Sequence, residues 1–357
     1  MRPYNKLAID YIEAYSKKRI DQANDTILRV CQLSNISENE LAQVLEKIKT
    51  KASIAIHFHP YRLNRNFQNV LSLLIETGLY KSQFETQISN GSLTAFEGGA
   101  RDQWENVLFD HVFSTHKISI ADRPKYGSLN LLGHAEGPSP RFGSCYFLLK
   151  PTCSNYATFT YLDSYLNPKE KGTITFFHEI ISSLLQECFE RDYALGEKNI
   201  RPPQLLKKIN DYLALTNISF DHQQPSRNLD HYIEAQIHTP ISLTQDVVSL
   251  VADASFKNTE YEKRLRHLCE KYAIALKWNR GFELTVEEVP NDFRGNSMPR
   301  VAAAIGTDNK INAYVIGQAE KYYQKEIKDQ TELQAKLQEL KYLWHTLVKY
   351  GKPILAY

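Results

Sequence analysis

Residues 52–60 read Ala-Ser-Ile-Ala-Ile-His-Phe-His-Pro, an alternation with a period of two. On an extended chain alternate side chains share a face. Ile54, Ile56 and Phe58 therefore face one side, and His57 and His59 the other. Pro60 has no N–H to donate and ends the run. A strand patterned this way needs neighbouring strands and a layer over its apolar side. Three helix-like segments before it, up to about residue 50, can supply that layer. The third has a defined start. Ser37 and Glu40 have the spacing of a capping box, in which each side chain bonds the other's free backbone N–H. Ile36 and Leu41 stand where a hydrophobic staple lies.

Farther along, a helical run from Asn69 to Thr77 stops at Gly78, and the polar stretch Tyr80–Gly91 ends in a turn pattern. Ser144–Leu149 and Thr158–Leu162 read as short strands between Gly- and Pro-rich turns. Thr173–Tyr193 reads as a helix, and Asn228–Leu243 holds a further short strand. Leu276–Val289 reads as a strand pair, or as one strand broken by glycine. Near the end Leu333, Leu337, Leu340, Trp344 and Leu347 form one helical stripe, stopped by Gly351 and Pro353. Helices, then mixed strands, then a helix predict an α+β fold. The boundaries fall at a helical region 1–50, a mixed core 51–290 and a C-terminal helical region 291–357 packed on the core.

Composition removes several function classes. Lys plus Arg exceed Asp plus Glu by two and no basic cluster stands out, so nucleic acid is not an expected partner. No apolar run has the length of a membrane span, so no membrane is expected either. The five cysteines never fall in a CxxC spacing, which argues against a disulfide framework and a thiolate zinc site and fits a reducing compartment. No signal-peptide pattern opens the chain. The expected location is the cytoplasm, or a host cytosol reached through signal-independent secretion. Walker A, GxGxxG and GxSxG motifs are absent.

Three stretches hold residues suited to chemistry. His57 and His59, on one strand face, have the placement of a metal pair, and a metal-dependent hydrolase is one reading. Two other readings are ordinary packing and, with Arg62, nucleotide contact. The turn Gly137–Phe147 brings Arg141 and exposed backbone N–H groups to the start of a strand, a setting for phosphate or ribose. The third is Asp230–His238. As a strand it puts Tyr232, Glu234, Gln236 and His238 on one face and Ile233, Ala235 and Ile237 on the other. Arg101–Glu105 reads as the structural start of a helix, and Asp292 and Arg294 as loop residues.

The segments HFHPYR (57–62), SQFET-x-ISNG (82–91), RPKYGSLNL (123–131), SPRFGSCYF (139–147), YIEAQIH (232–238), DFRGNSMP (292–299) and LKYLWHTLVKYG (340–351) occur in this order. Together they resemble a bacterial domain-of-unknown-function family grouped with the ADP-ribosyltransferase superfamily. The lysine- and asparagine-rich character also resembles a Legionella effector transferase that modifies an arginine of glutamate dehydrogenase. The resemblance implies a split β-sandwich core, NAD as co-substrate and a protein acceptor such as glutamate dehydrogenase. It also implies a triad: Arg or His on an early strand, a polar or aromatic group on a middle one, and Glu on a late one. Glu234 fits the catalytic glutamate, with Glu85 as second choice. His57, His59, Arg62, Ser89, Asn90, Gly91, Arg141, Gly143, Ser144 and Gln236 are the expected NAD contacts, and no metal is expected. The ExE pattern of arginine-modifying transferases is replaced here by Glu234-Ala235-Gln236. A non-catalytic NAD-binding module is a further reading.

Overall fold

The alternating run forms strand β1 (Ser53–Phe58) inside an eight-stranded sheet. The computed structural model describes residues 3–64, 68–88, 95–116, 118–216, 220 and 225–354. The remaining strands are β2 (Lys125–Asn130), β3 (Cys145–Leu149), β4 (Ala157–Tyr161), β5 (Lys171–Thr173), β6 (Ile233–Ile237), β7 (Val247–Asp253) and β8 (Ala275–Asn279). Their spatial order is β8-β7-β3-β1-β2-β6-β4-β5. Neighbours run antiparallel except β7 and β8, which are parallel and joined through the helix Glu260–Tyr272. With helices at both ends, the fold is α+β.

Strand β1 changes partner half-way along. Ser53, Ile54 and Ala55 pair with Asn130, Leu129 and Ser128 of β2, whereas Ala55–Phe58 pair with β3. Over Lys125–Ser128, β2 pairs instead with β6. Beyond Ala55 the two halves of the sheet therefore part, and a wedge opens between the edge carrying His57 and the edge carrying Tyr126. The resemblance implied two small sheets; here three residue pairs keep the halves joined. Gly127 permits the close crossing, because a Cβ there would stand 2.8 Å from the Ala55 carbonyl oxygen and 2.7 Å from the Ile54 side chain.

The register gathers Ile54, Ile56, Leu129, Phe147, Phe159 and Ile233 on one face, all buried. They share a single apolar core with Ile27, Val44, Ile48, Leu184 and Ile209 of the covering helices Ile20–Leu33, Glu38–Lys51, His178–Arg191 and Pro202–Ala214. Side chains of this size contribute about 1.5–3 kcal/mol each when fully buried. The three N-terminal helices form as read, the first being Pro3–Lys17. The Ser37–Glu40 capping box is present, with the Ser37 N–H donating to Glu40 Oε2 at 3.0 Å. Ile36 and Leu41 both join the core. Asn69 caps the helix Val70–Thr77, and Gly78 stops it at a φ of 64°.

Two elements differ from the sequence reading. The helix expected from Thr173 begins at His178, because Lys171–Thr173 pair with Thr160–Thr158 as an edge strand. The run Leu276–Val289 is divided: β8 joins the sheet, and Glu283–Thr285 pairs separately with Lys310–Asn312. The last helix, Gln330–Tyr350, ends at Gly351 with Leu340, Trp344 and Leu347 buried and Leu337 partly so.

Candidate active site

The opposite face of the same strands is polar. Ser128 stands across from Glu234 and Tyr126 across from Gln236, and β4 adds Thr160 and Thr158 on the far side of that pair. In the wedge these strands wall a cavity of about 500 Å³, within the usual range for a ligand site. His57, Tyr126, Ser128 and Glu234 come from the sheet, and Ser139 and Arg141 from the turn before β3. Asp163 comes from the loop after β4, Arg101 and Trp104 from the helix Ala100–Leu108, and Lys341 from the C-terminal helix.

Glu234 is held from behind. Gln236 Nε2 donates to Glu234 Oε1 at 2.9 Å and to Thr160 Oγ1 at 3.2 Å, and Thr158 Oγ1 donates to Gln236 Oε1 at 2.9 Å. The Gln236 amide is thereby oriented toward the carboxylate. Asp163 shares the cavity, its carboxylate accepting from Tyr232 Oη at 2.9 Å and from the Tyr165 N–H at 2.9 Å. Burial, followed by the negative charge of Asp163, raises Glu234 well above the ordinary carboxylate range. Ser164, then the bond from Gln236 and the charge of Arg101, only partly oppose this.

His57 braces the turn beside it. Its Nδ1 donates to the Gly143 carbonyl at 3.2 Å, and its Nε2 accepts from the Ser139 N–H at 3.4 Å. A carbonyl only accepts and an amide N–H only donates, so this ring is neutral. Burial holds its pKa down to about 4. Gly143 allows the approach, since a Cβ there would lie 2.4 Å from the Phe58 backbone. From the C-terminal helix, Trp344 Nε1 donates to the Pro140 carbonyl at 2.9 Å. The turn so fixed carries Arg141, which pairs with Asp230 and lies 5.0 Å from the Phe142 ring centre.

The facing wall is equally fixed. Tyr126 Oη donates to Glu105 Oε1 at 2.7 Å, and Arg123 binds both Glu105, at 3.0 Å, and Asp102. The Arg101 guanidinium lies between two rings, 4.4 Å from Trp104 and 4.6 Å from Tyr126. Removing one member of such a buried charge pair costs about 3–5 kcal/mol.

The structure thus brings together Glu234, His57 and Arg141, with Gln236 behind the carboxylate. The other expected contacts that the structure describes stand elsewhere. His59 Nδ1 meets Tyr61 Oη at 2.9 Å and Ser144 Oγ at 3.3 Å, and its ring lies edge-on to Trp344, beside a separate small cavity. Arg62 pairs with Glu320 at 3.4 Å. Gly143 and Ser144 support the histidines from outside the 500 Å³ cavity. Ser89, Asn90 and Gly91 lie outside the described residues. Glu85 accepts from the Ser82 N–H at 2.7 Å as a helix cap. His57 has both ring nitrogens engaged and His59 lines a different cavity. Among the described residues no three His, Cys, Asp or Glu side chains gather as a metal site. Arg101, Tyr126, Asp163 and Lys341 are cavity residues that the sequence reading did not select. Tyr126 and Lys341 fall inside segments that carry the resemblance, and Arg101 and Trp104 share one helix face at i, i+3 spacing.

Residues 53–350 match the family described as a protein of unknown function, DUF3626. The chain belongs to that family. The match opens at the first residue of β1 and closes at the last residue of the C-terminal helix, so every wall of the cavity lies within the family's span. The three N-terminal helices precede it. No curated protein matches the chain. Among the described residues no helix is long and apolar enough to cross a membrane.

Proposed function

We propose that this protein binds NAD in the cleft between the two half-sheets and transfers ADP-ribose to a protein acceptor, with Glu234 as the catalytic carboxylate. One observation carries the reading. A buried glutamate on a late strand shares a cavity with a histidine on an early strand and a tyrosine phenol on a middle one: Glu234, His57 and Tyr126. That combination on three such strands is what the resemblance implies, with Tyr126 as the middle member.

The residue types suit the chemistry. When the bond between ribose and nicotinamide breaks, nicotinamide leaves with the electron pair and positive charge develops on the ribose, as in glycoside cleavage. An ionised carboxylate bonded to a ribose hydroxyl stabilises that charge, most strongly in a cavity that excludes water. The burial that favours the neutral Glu234 in the bare cavity also strengthens its attraction to the positive charge that builds there. His57, neutral and bonded at both nitrogens, supports the wall rather than exchanging a proton. Arg101 and Arg141 suit an anionic co-substrate. The acceptor nitrogen, an arginine guanidine of the target protein in this reading, attacks the anomeric carbon and then loses its proton.

Incubation with labelled NAD and a cell lysate, or with purified glutamate dehydrogenase, tests the proposal. A labelled protein band is expected. Glu234→Ala should reduce labelling and nicotinamide release by about 10²–10³-fold, the typical effect of removing one such electrostatic group. NAD binding without nicotinamide release, unchanged by Glu234→Gln, would instead identify a non-catalytic binding module.

A further inference from the structure

We propose that Arg141 and Lys341 form a subsite for a phosphate-bearing anion, closed on one side by the C-terminal helix. Assigning that anion to the pyrophosphate of NAD rests on the function proposed above; the subsite itself rests on geometry and charge.

Both side chains line the same cavity, Arg141 from the turn before β3 and Lys341 from the helix Gln330–Tyr350, 200 residues later. The bond from Trp344 to the Pro140 carbonyl locks helix to turn, so the two cations are held together by the fold. Arg62 and Arg294 lie close enough to act on the same lysine. Burial first, then Arg141, Arg62 and Arg294, hold Lys341 down to about 8, and Asp163 opposes them. On the same helix, His345 is kept neutral by burial and by Arg141, Arg294 and Lys341.

Asp230, the partner of Arg141, is 65% exposed and therefore screened, and Glu320 is engaged with Arg62. Arg141 Nε, on the cavity lining, is buried without a hydrogen-bond partner. Buried donors are ordinarily satisfied, and here an anion in the cavity would supply the acceptor. A guanidinium fork beside a lysine point charge fits a tetrahedral phosphate. Phe142 and Tyr342 add ring surface to the same cavity. A ligand carrying phosphates next to a flat ring satisfies both features.

Calorimetry on the full-length protein at pH 8 tests this, with ADP-ribose as probe and adenosine as the phosphate-free control. ADP-ribose should bind at least about tenfold more tightly than adenosine. Lys341→Gln should remove on the order of tenfold or more of that affinity, the scale of one charge-assisted bond, and should leave adenosine unaffected. Lys341→Arg should retain the preference, which keeps the test decisive if the glutamine variant folds poorly. Binding to the native protein should also draw a proton onto Lys341, so the dependence of the measured heat on the buffer's ionisation enthalpy should differ between the native protein and Lys341→Gln. Equal affinity for ADP-ribose and adenosine, or unchanged ADP-ribose affinity in Lys341→Gln, would overturn the subsite. ADP-ribose binding that depends on Lys341, without cleavage of NAD, would retain the subsite and reject the transferase. NAD cleavage whose KM ignores Lys341 would do the reverse.

Discussion

Glu234 and Asp163 present two carboxyl groups to one cavity, and their surroundings treat them differently. Asp163 accepts fixed hydrogen bonds from Tyr232 Oη and the Tyr165 backbone N–H. Glu234, more deeply buried, is displaced toward neutrality by burial and by Asp163 itself. If the carboxylate form of Glu234 acts on the ribose, turnover must rise with pH as Glu234 ionises. That rise should lie above the ordinary carboxylate range. Asp163→Asn removes the like charge and keeps an acceptor for Tyr232, so it should move the rising limb to lower pH. Nicotinamide release measured against pH in both proteins checks this, and superimposable profiles would separate Asp163 from the titration. The sequence displayed one carboxylate of this pair. Glu234 stood out because Tyr232, Gln236 and His238 alternate with apolar neighbours around it. Asp163 sits in a turn, where an acid that caps a backbone N–H looks like any other turn residue.

Among elements, visibility followed periodicity. Strands β1 and β6 bury one apolar face and hold polar groups on the other, so both alternate in the sequence. Strand β2, Lys-Tyr-Gly-Ser-Leu-Asn, carries no such pattern because Gly127 stands where the two strands cross. Strand β7, Val-Val-Ser-Leu-Val-Ala-Asp, is buried along nearly its whole length and shows no alternation of apolar and polar residues. Gly127→Ala should therefore be costly out of proportion to its size. Its Cβ must displace the Ala55 carbonyl or the Ile54 side chain, and overpacking of this kind costs about 1–3 kcal/mol. Chemical denaturation should show that loss, and ligand affinity should fall with it because the wedge starts at this crossing. Ser37→Ala gives the contrasting case. It removes one cap from the helix Glu38–Lys51, at about 1 kcal/mol, in a helix that contributes nothing to the cavity lining. Its stability should drop while nicotinamide release stays unchanged.

At the scale of the molecule, the cavity is assembled from the sheet, the turn before β3, the loop after β4, the helix Ala100–Leu108 and the C-terminal helix. Linear spacing cannot show that Arg101, Asp163 and Lys341 converge, because only the tertiary packing brings them together. The same packing leaves His57, His59, His238 and His345 buried, each with its pKa pressed down by burial first: to about 4 for His57, about 3 for His238, about 2 for His345, and well below normal for His59. These rings are neutral in the folded chain, whereas in the unfolded chain they titrate near ~6.5. Unfolding therefore takes up protons below that value, and the stability these residues contribute is complete above ~6.5 and lost as pH falls toward about 4. Asp253, pushed up to about 6 by burial, and the raised Glu234 act in the opposite sense. Their contribution is present below ~4.5 and declines as pH rises through their folded values. The two trends together place maximum stability between mildly acidic and neutral pH. Thermal melts from pH 8 to pH 4 should rise slightly and then fall steeply, because below ~6.5 the unfolded chain takes up protons on these four histidines that the folded chain does not. A melting temperature that stayed flat between pH 6.5 and pH 4.5 would mean that the histidines are not held neutral, and the assignment of His57 as a fixed brace for the Arg141 turn would fail with it.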